Sequence, residues 1–159
     1  MKKAIFTFVY ILIHHLGFAQ SNPNLKFVNP DNLSKSPAYS HIAEIKGGRI
    51  ILISGQVSND SLGNVIGKGD MRIQTEQVYK NLEKALKAVG ATFSDVAKFG
   101  IYIRDMSKIA EFREVRNRLF DQKYYKNQTN RPVSTAIGVT ELFHPDWLLE
   151  IEATVVLPN

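Results

Sequence analysis

From Tyr39 onward the apolar residues of this chain fall into short periodic runs separated by clear breaks. Ser40 to Lys46 alternates weakly, Gly47-Gly48 predicts a hairpin turn, and Arg49 to Val57 is an apolar, β-branched run that predicts a strand. Asn59 to Asp70 contains Gly63, Gly67 and Gly69 and predicts a loop, with Asp70 placed to cap a helix. In Met71 to Val89, Val78, Leu82, Leu86 and Val89 recur at three- and four-residue steps, which predicts a helix stopped by Gly90. Ala97 to Arg104, with aromatic and β-branched residues, predicts a strand. Ser107 is placed to cap a second helix through about Tyr125, with Ile109, Phe112, Val115, Leu119 and Phe120 as its buried stripe. Val133 to Val139 and Leu148 to Leu157 predict the final strands. The order β-β-α-β-α-β-β predicts an α+β domain over residues 39–159, with two helices on one face of a sheet.

The strand pattern also bears on assembly. Ile50, Ile51, Leu52 and Ile53 are all apolar, whereas a strand with one wet face alternates. Two helices cover one sheet face only, so the other face calls for a cover of its own, and another subunit supplies it most simply. In Leu149 to Val155 the odd positions are apolar, so Glu150 and Glu152 point away from the helices, toward that second face.

Residues 20–38 are rich in Asn, Ser and Pro and predict an extended lead-in over the surface. Met1 to Ala19 differs from the rest of the chain. Lys2 and Lys3 precede the apolar run Ala4 to Ile13, and Gly17-Phe18-Ala19 ends the segment on small residues. That is the pattern of a cleaved signal peptide, and it predicts export to the periplasm or beyond, with no membrane attachment after cleavage. The run is short against the ~20 residues of a membrane span. The chain has no cysteine, so no disulfide staples the fold. Its formal charge of +5 includes Lys2 and Lys3, and the rest of the basic residues are scattered apart from Arg113, Arg116 and Arg118. Nucleic-acid binders concentrate such charge on one face, so no nucleic-acid partner is expected.

Several short segments carry a family resemblance through their order and spacing. They are Ser36-Pro-Ala-Tyr-Ser-His41, Ile53-Ser-Gly-Gln56, Gln74-Thr-Glu-Gln-Val78 with Asn81-Leu82, Ala88-Val-Gly-Ala91, Asp95-Val96, Tyr102-Ile103 with Asp105-Met106, and Glu150-Ile-Glu-Ala153. Together they are similar to the RidA/YjgF family, from about Phe27 to the end. The resemblance implies a chorismate-mutase-like fold, a mixed sheet with two helices on one face, assembled as a homotrimer. It implies small-molecule clefts between subunits, no metal or organic cofactor, and hydrolysis of 2-aminoacrylate and related imines to keto acids and ammonia.

Residue by residue, the resemblance implies cleft roles for Tyr39, for Ser54 and Gly55, and for Glu150, which would position the attacking water. It also exposes a departure. Where deaminating members carry a carboxylate-gripping arginine after Pro-Ala, this chain has Pro132-Val133-Ser134. Arg116 stands where the second helix often carries asparagine, and Ala136 where a cysteine is frequent. A guanidinium holds a carboxylate through two parallel charge-assisted hydrogen bonds, and serine offers one neutral donor. Losing that contact costs about 2–4 kcal/mol of carboxylate binding. Arg131 does not replace it, because strand residues three apart face opposite ways. Arg116 remains as a rescuer, as a subunit contact, or as a solvent-exposed residue.

A carboxylate on a covered face is desolvated, which raises its pKa and suits Glu150 to act as a general base. The competing reading of Glu150 is a rim carboxylate, solvated or paired with lysine. Other chemistry is thinly represented. His41 and His144 lie far apart without zinc-ligand spacing, and Ser54 lacks a GxSxG elbow. Tyr124, Tyr125 and Trp147 read as packing, and Asn32, Asn59 and Asn127 begin glycosylation-type triplets. The leading expectation is therefore an imine hydrolase with an altered substrate. The alternatives are a ligand-binding or protein-protecting module of the same fold, and a nuclease or translation inhibitor.

Overall fold

A computed structural model describes residues 22–126 and 130–159. The proposed leader and the Asn127 triplet lie outside them. Strand β1 (Leu25–Val28) pairs antiparallel with β2 (Ile42–Ile45), and these two form a small ribbon of their own. The main sheet has the order β3-β6-β4-β5, from β3 (Arg49–Gln56), β6 (Leu149–Leu157), β4 (Val96–Ile103) and β5 (Val133–Gly138). β6 is antiparallel to both neighbours, and β5 runs parallel to β4 at the edge. Helices α1 (Met71–Ala88) and α2 (Ile109–Leu119) pack side by side over one sheet face.

The expected helices and late strands are present, and four details differ. The lead-in is extended as expected but is not a free surface segment, since Leu25–Val28 forms β1 and pairs with β2. The expected hairpin at Gly47-Gly48 is not made. Lys46 closes the β1–β2 ribbon by donating to the Asn24 carbonyl, and Gly48 lies so close to the Leu157 carbonyl that a Cβ would sit 2.3 Å from it. That contact steers the chain onto β6. Ser107 is not the cap of the second helix. The Asp105 carboxylate accepts from the Ser107 N–H and hydroxyl, opening a 3-10 turn, Met106–Lys108, that leads into α2. The second helix runs to Tyr124 as expected, but its last turn, Phe120–Tyr124, is π-helical.

Elsewhere the local chemistry follows the pattern. Asp70 caps α1 by accepting from the Ile73 N–H at 3.0 Å. Gly90, at φ +75°, ends it, and the Ala91 N–H bonds back to the Leu86 carbonyl. A positive φ at that position is the usual helix stop. Val78, Tyr79, Leu82 and Leu86 of α1, with Phe112 of α2, bury against Phe99, Ile101 and Ile103 of β4 and the odd positions of β6. Tyr124 stacks on Phe93 at 3.8 Å, and the Tyr125 hydroxyl bonds to the Phe93 carbonyl, so both tyrosines are packing. Arg131 is buried, donating to the Tyr125 carbonyl and to Asp121, which ties the end of α2 to the start of β5.

The face turned away from the helices is open in a single chain. Ile50 is 59% exposed, Leu52 77% and Ile137 48%. Glu150, Glu152 and Tyr102 share that face.

Candidate functional site

The register of β4 against β6 places Tyr102 opposite Glu150 and Gly100 opposite Glu152. On the other side of β6, the ladder with β3 slips between Ile53 and Gln56, so Ser54 and Gly55 form a bulge. Glu150 fills the space this creates. A Cβ on Gly55 would lie 1.7 Å from Glu150 Oε1, 2.5 Å from Cδ and 2.7 Å from Cγ, so glycine is what admits the carboxylate. Burial raises the pKa of Glu150 above its ordinary value, and the charge of Glu152 adds to the effect. Glu152 lies over Gly100 and accepts a 3.2 Å hydrogen bond from the Tyr102 hydroxyl.

The bulge leads into a loop that is pinned from below. Asn81 donates to the carbonyls of Val57 and Asn59 at 2.9 and 2.8 Å. Gln77 donates to the Asn59 carbonyl and to Asn81 Oδ1, and the Trp147 indole donates to Asn59 Oδ1 at 2.8 Å. Fully buried Gln74 donates to the carbonyls of Gly67 and Asp146 and accepts from the Leu148 N–H. These amides fix the loop after β3 and the approach to β6, and so hold Gly55 and Glu150 together. A cavity of about 490 Å³, lined by Gly55, Asn59, Asn81 and Lys84 among others, opens beside them.

The residues singled out from the sequence divide into two groups. Ser54, Gly55 and Glu150 sit together at the β3–β6 side. Ser134 and Arg116 do not join them. β5 is three strand spacings from β3, or about 14 Å. Ser134 is in register with Phe99, whose ring packs under Phe120, so Ser134 faces the helix layer at the β5 edge. Arg116 projects from α2 on the same side. Tyr39 makes an edge contact with the His41 ring at 5.6 Å. Its neighbours Pro37 and Ala38 line a small cavity with Asn117, Phe120, Asp121 and Arg131, again at the end of α2. The His41 imidazole Nε2 lies 2.7 Å from the Ser34 carbonyl, a loop contact.

Sequence reasoning passes over Tyr102, Gln74, Gln77 and Asn81 as functional parts. The three amides stand in family-like segments on one helix, but their partners lie up to 74 residues away, and periodicity carries no signal of that kind.

The family described as endoribonuclease L-PSP matches residues 31–157. A RutC family protein of Pyrococcus horikoshii is 36% identical over 109 residues, 69% of this chain and 80% of the relative. A 2-iminobutanoate/2-iminopropanoate deaminase of Dermatophagoides farinae is 26% identical over 125 residues, covering 79% of this chain and 91% of the relative. Among solved structures, a conserved Rid family protein of Yersinia pestis superposes with a TM-score of 0.75 at 31% identity, covering 84% of this chain and 99% of that one. E. coli TdcF, solved with bound serine, gives 0.60 at 27% identity, over 69% of this chain and 82% of that one. The bulge glycine beneath a strand glutamate, two helices on a mixed sheet, and a match across most of the chain agree, and the chain belongs to the RidA/YjgF family, described by its endoribonuclease L-PSP signature.

Proposed function

We propose that the protein is a hydrolase of small imines whose clefts are completed between copies of the chain, with Glu150 as the general base. The observation that carries this reading is the Glu150 carboxylate seated on Gly55, partly desolvated and rigidly supported. Burial strengthens it as a base toward water. The chemistry balances without a further reagent. Glu150 takes a proton as water attacks the imine carbon and passes it to the nitrogen, so that a C–O bond forms, the C=N bond becomes single and a carbinolamine results. Glu150 then takes the hydroxyl proton and passes it to the nitrogen as the C–N bond breaks and the C=O bond forms, and ammonia leaves a carbonyl compound. The deaminase relative supports this choice of reaction.

Cyclic assembly is supported by the edges and the open face. Setting the β5 edge of one copy beside the β3 edge of the next brings Ser134 to the rim of the neighbour's Ser54–Gly55 bulge, under which Glu150 is seated. A homotrimer satisfies this and covers Ile50 and Leu52. The leader pattern adds export to the periplasm or beyond, which mass measurement of the amino terminus in the exported fraction checks.

The test is keto-acid formation from freshly generated 2-aminoacrylate by purified protein and by Glu150→Gln. Loss of turnover in the variant is expected. Equal turnover in both overturns the role of Glu150, and no turnover by either favours a ligand-binding module of the same fold.

A further inference from the structure

Strand β6 sends two carboxylates onto one face. Glu150 and Glu152 are two residues apart, about 7 Å along the strand, and both point away from the helices. Like charges at that spacing repel, and each finds relief in a gap on a neighbouring strand. β3 offers one gap and β4 the other. Glu150 lies over Gly55 of β3. Glu152 lies over Gly100 of β4, where a Cβ would sit 2.5 Å from its Oε1, 2.8 Å from Cγ and 3.0 Å from Cδ. The two side chains therefore diverge to opposite sides of β6.

Tyr102 decides which carboxylate stays on which side. The register places it opposite Glu150, yet its hydroxyl donates to Glu152, across the diagonal, at 3.2 Å. A bond to Glu150 would draw the base toward β4 and off Gly55, whereas the bond to Glu152 leaves the base where it is. The phenol is also held in its donor form, first of all by that bond to Glu152.

Little else on this face bears charge. Lys98 of β4 shares it with Tyr102, and Arg104, just past the end of β4, lies toward Asp105 and Asp146. β3 and β5 turn no titratable side chain to it, since their residues there are Ile50, Leu52 and Ser54, and Val133, Thr135 and Ile137. Among the described residues no lysine or arginine comes within ion-pair distance of either glutamate. The charge of Glu152 is therefore not cancelled, and Glu150 feels it.

We propose that Tyr102 and Glu152 are the positioning pair of the base: the phenol ties Glu152 over Gly100, and the charge held there keeps the Glu150 carboxylate across β6 on Gly55. Neither group needs to touch substrate. The inference rests on Glu150 being the base and names what holds it in place.

The test is titration of the Glu150 carboxyl carbon by NMR, at low ionic strength, in the intact assembled protein carrying isotope-labelled glutamate. The signal is assigned by its loss in Glu150→Gln. Glu152→Gln keeps the shape and the bond from Tyr102 and removes only the charge. It should move the Glu150 titration to lower pH by about 0.3 or more, the bulk-water limit for two charges ~10 Å apart. Tyr102→Phe should move it the same way, since a freed Glu152 spreads its charge into solvent. In the natural protein the Gly55 amide resonance should follow the Glu150 titration, and that response should shrink in both variants. The acid limb of kcat/KM should shift with the titration. A pair that merely supports the fold would lower the urea midpoint and leave both profiles in place. An unmoved Glu150 titration in Glu152→Gln, or an undiminished Gly55 response in Tyr102→Phe, overturns the proposal. A shifted titration in a protein that hydrolyses no imine leaves the pair standing and removes the base, and an active enzyme with an unmoved titration does the reverse.

Discussion

Gly55→Ala separates the site from the fold more cleanly than any substitution of the glutamate itself. The added methyl would lie 1.7 Å from Glu150 Oε1 and 2.7 Å from Cγ. Non-bonded carbon contacts settle at about 3.5–4 Å, so the carboxylate must retreat by roughly 2 Å. The nearest atoms belong to a flexible side chain, and Gly55 does not occupy the left-handed region, so the backbone need not yield. Removing a glycine also narrows the unfolded ensemble, which favours folding by ~0.4–1 kcal/mol where the conformation is compatible. Stability should therefore change by no more than about 1 kcal/mol. Catalysis should not escape so lightly, because misplacing a reacting group by about 1 Å costs on the order of 100-fold. The expected result is a kcat down about 100-fold or more, equivalent to ~2.7 kcal/mol, with an unchanged denaturation midpoint. Keto-acid formation and urea unfolding on one preparation measure both. A kcat within a few-fold of the natural protein would refute the seating of Glu150 as the source of its activity, and so would a loss matched by unfolding.

Three further outcomes are expected from other parts of the structure. The folded state raises the pKa of Glu150, so it binds that proton more tightly than the unfolded chain, and the contribution present at low pH is lost as pH rises through the folded value. Glu150→Gln should therefore melt higher than the natural protein at pH 8 and lose that advantage below the ordinary glutamate value of 4.5, which melting curves across that range check. Gln74→Leu removes a fully buried amide and leaves the Leu148 N–H and two carbonyls without it, a loss of about 3–5 kcal/mol measurable by urea denaturation. Leu52→Glu puts a charge on the open face and should reduce the assembly to single chains in sedimentation while far-ultraviolet dichroism is retained.

Periodicity controls the part of the fold that is legible in the sequence. The stripe Val78, Leu82, Leu86 and the alternation Leu149, Ile151, Ala153, Val155 each report the direction of a side chain, and both helices and β6 obey them. Glu150 faces away from the helices for that reason. Contacts between distant segments leave no such trace. β1 is four residues long in an Asn- and Pro-rich stretch, and it exists because β2 pairs with it. Asp105 and Ser107 are both good capping residues, and only the geometry of the turn decides between them. The continuous apolar stripe through Phe120 hides the switch to π-helical bonding, where the Tyr125 N–H reaches the Phe120 carbonyl.

The candidate site shows the same division. Motif order picks out Gly55 and Glu150, but their contact depends on a bulge in β3 that no periodicity predicts. Nothing local to Ser134 signals that it lies two strands from Glu150 and on the opposite face of the sheet. Strand order separates them, and strand order comes from pairing rather than from any local run of residues. Gln77 and Asn81 read as ordinary polar helix positions, yet they pin the loop that carries Gly55.

Mixing two inactive chains tests most directly whether the cleft is shared between copies. Glu150→Gln lacks the base and keeps the β5 edge, whereas Ser134→Trp blocks the edge and keeps the base. When equal amounts are unfolded and refolded together, a shared cleft has both intact parts in about a quarter of cases, as random filling of a closed ring requires. Imine hydrolysis should then recover to about that fraction of the natural protein. Co-assembled mixtures that stay as inactive as each variant alone would contradict a cleft shared between copies.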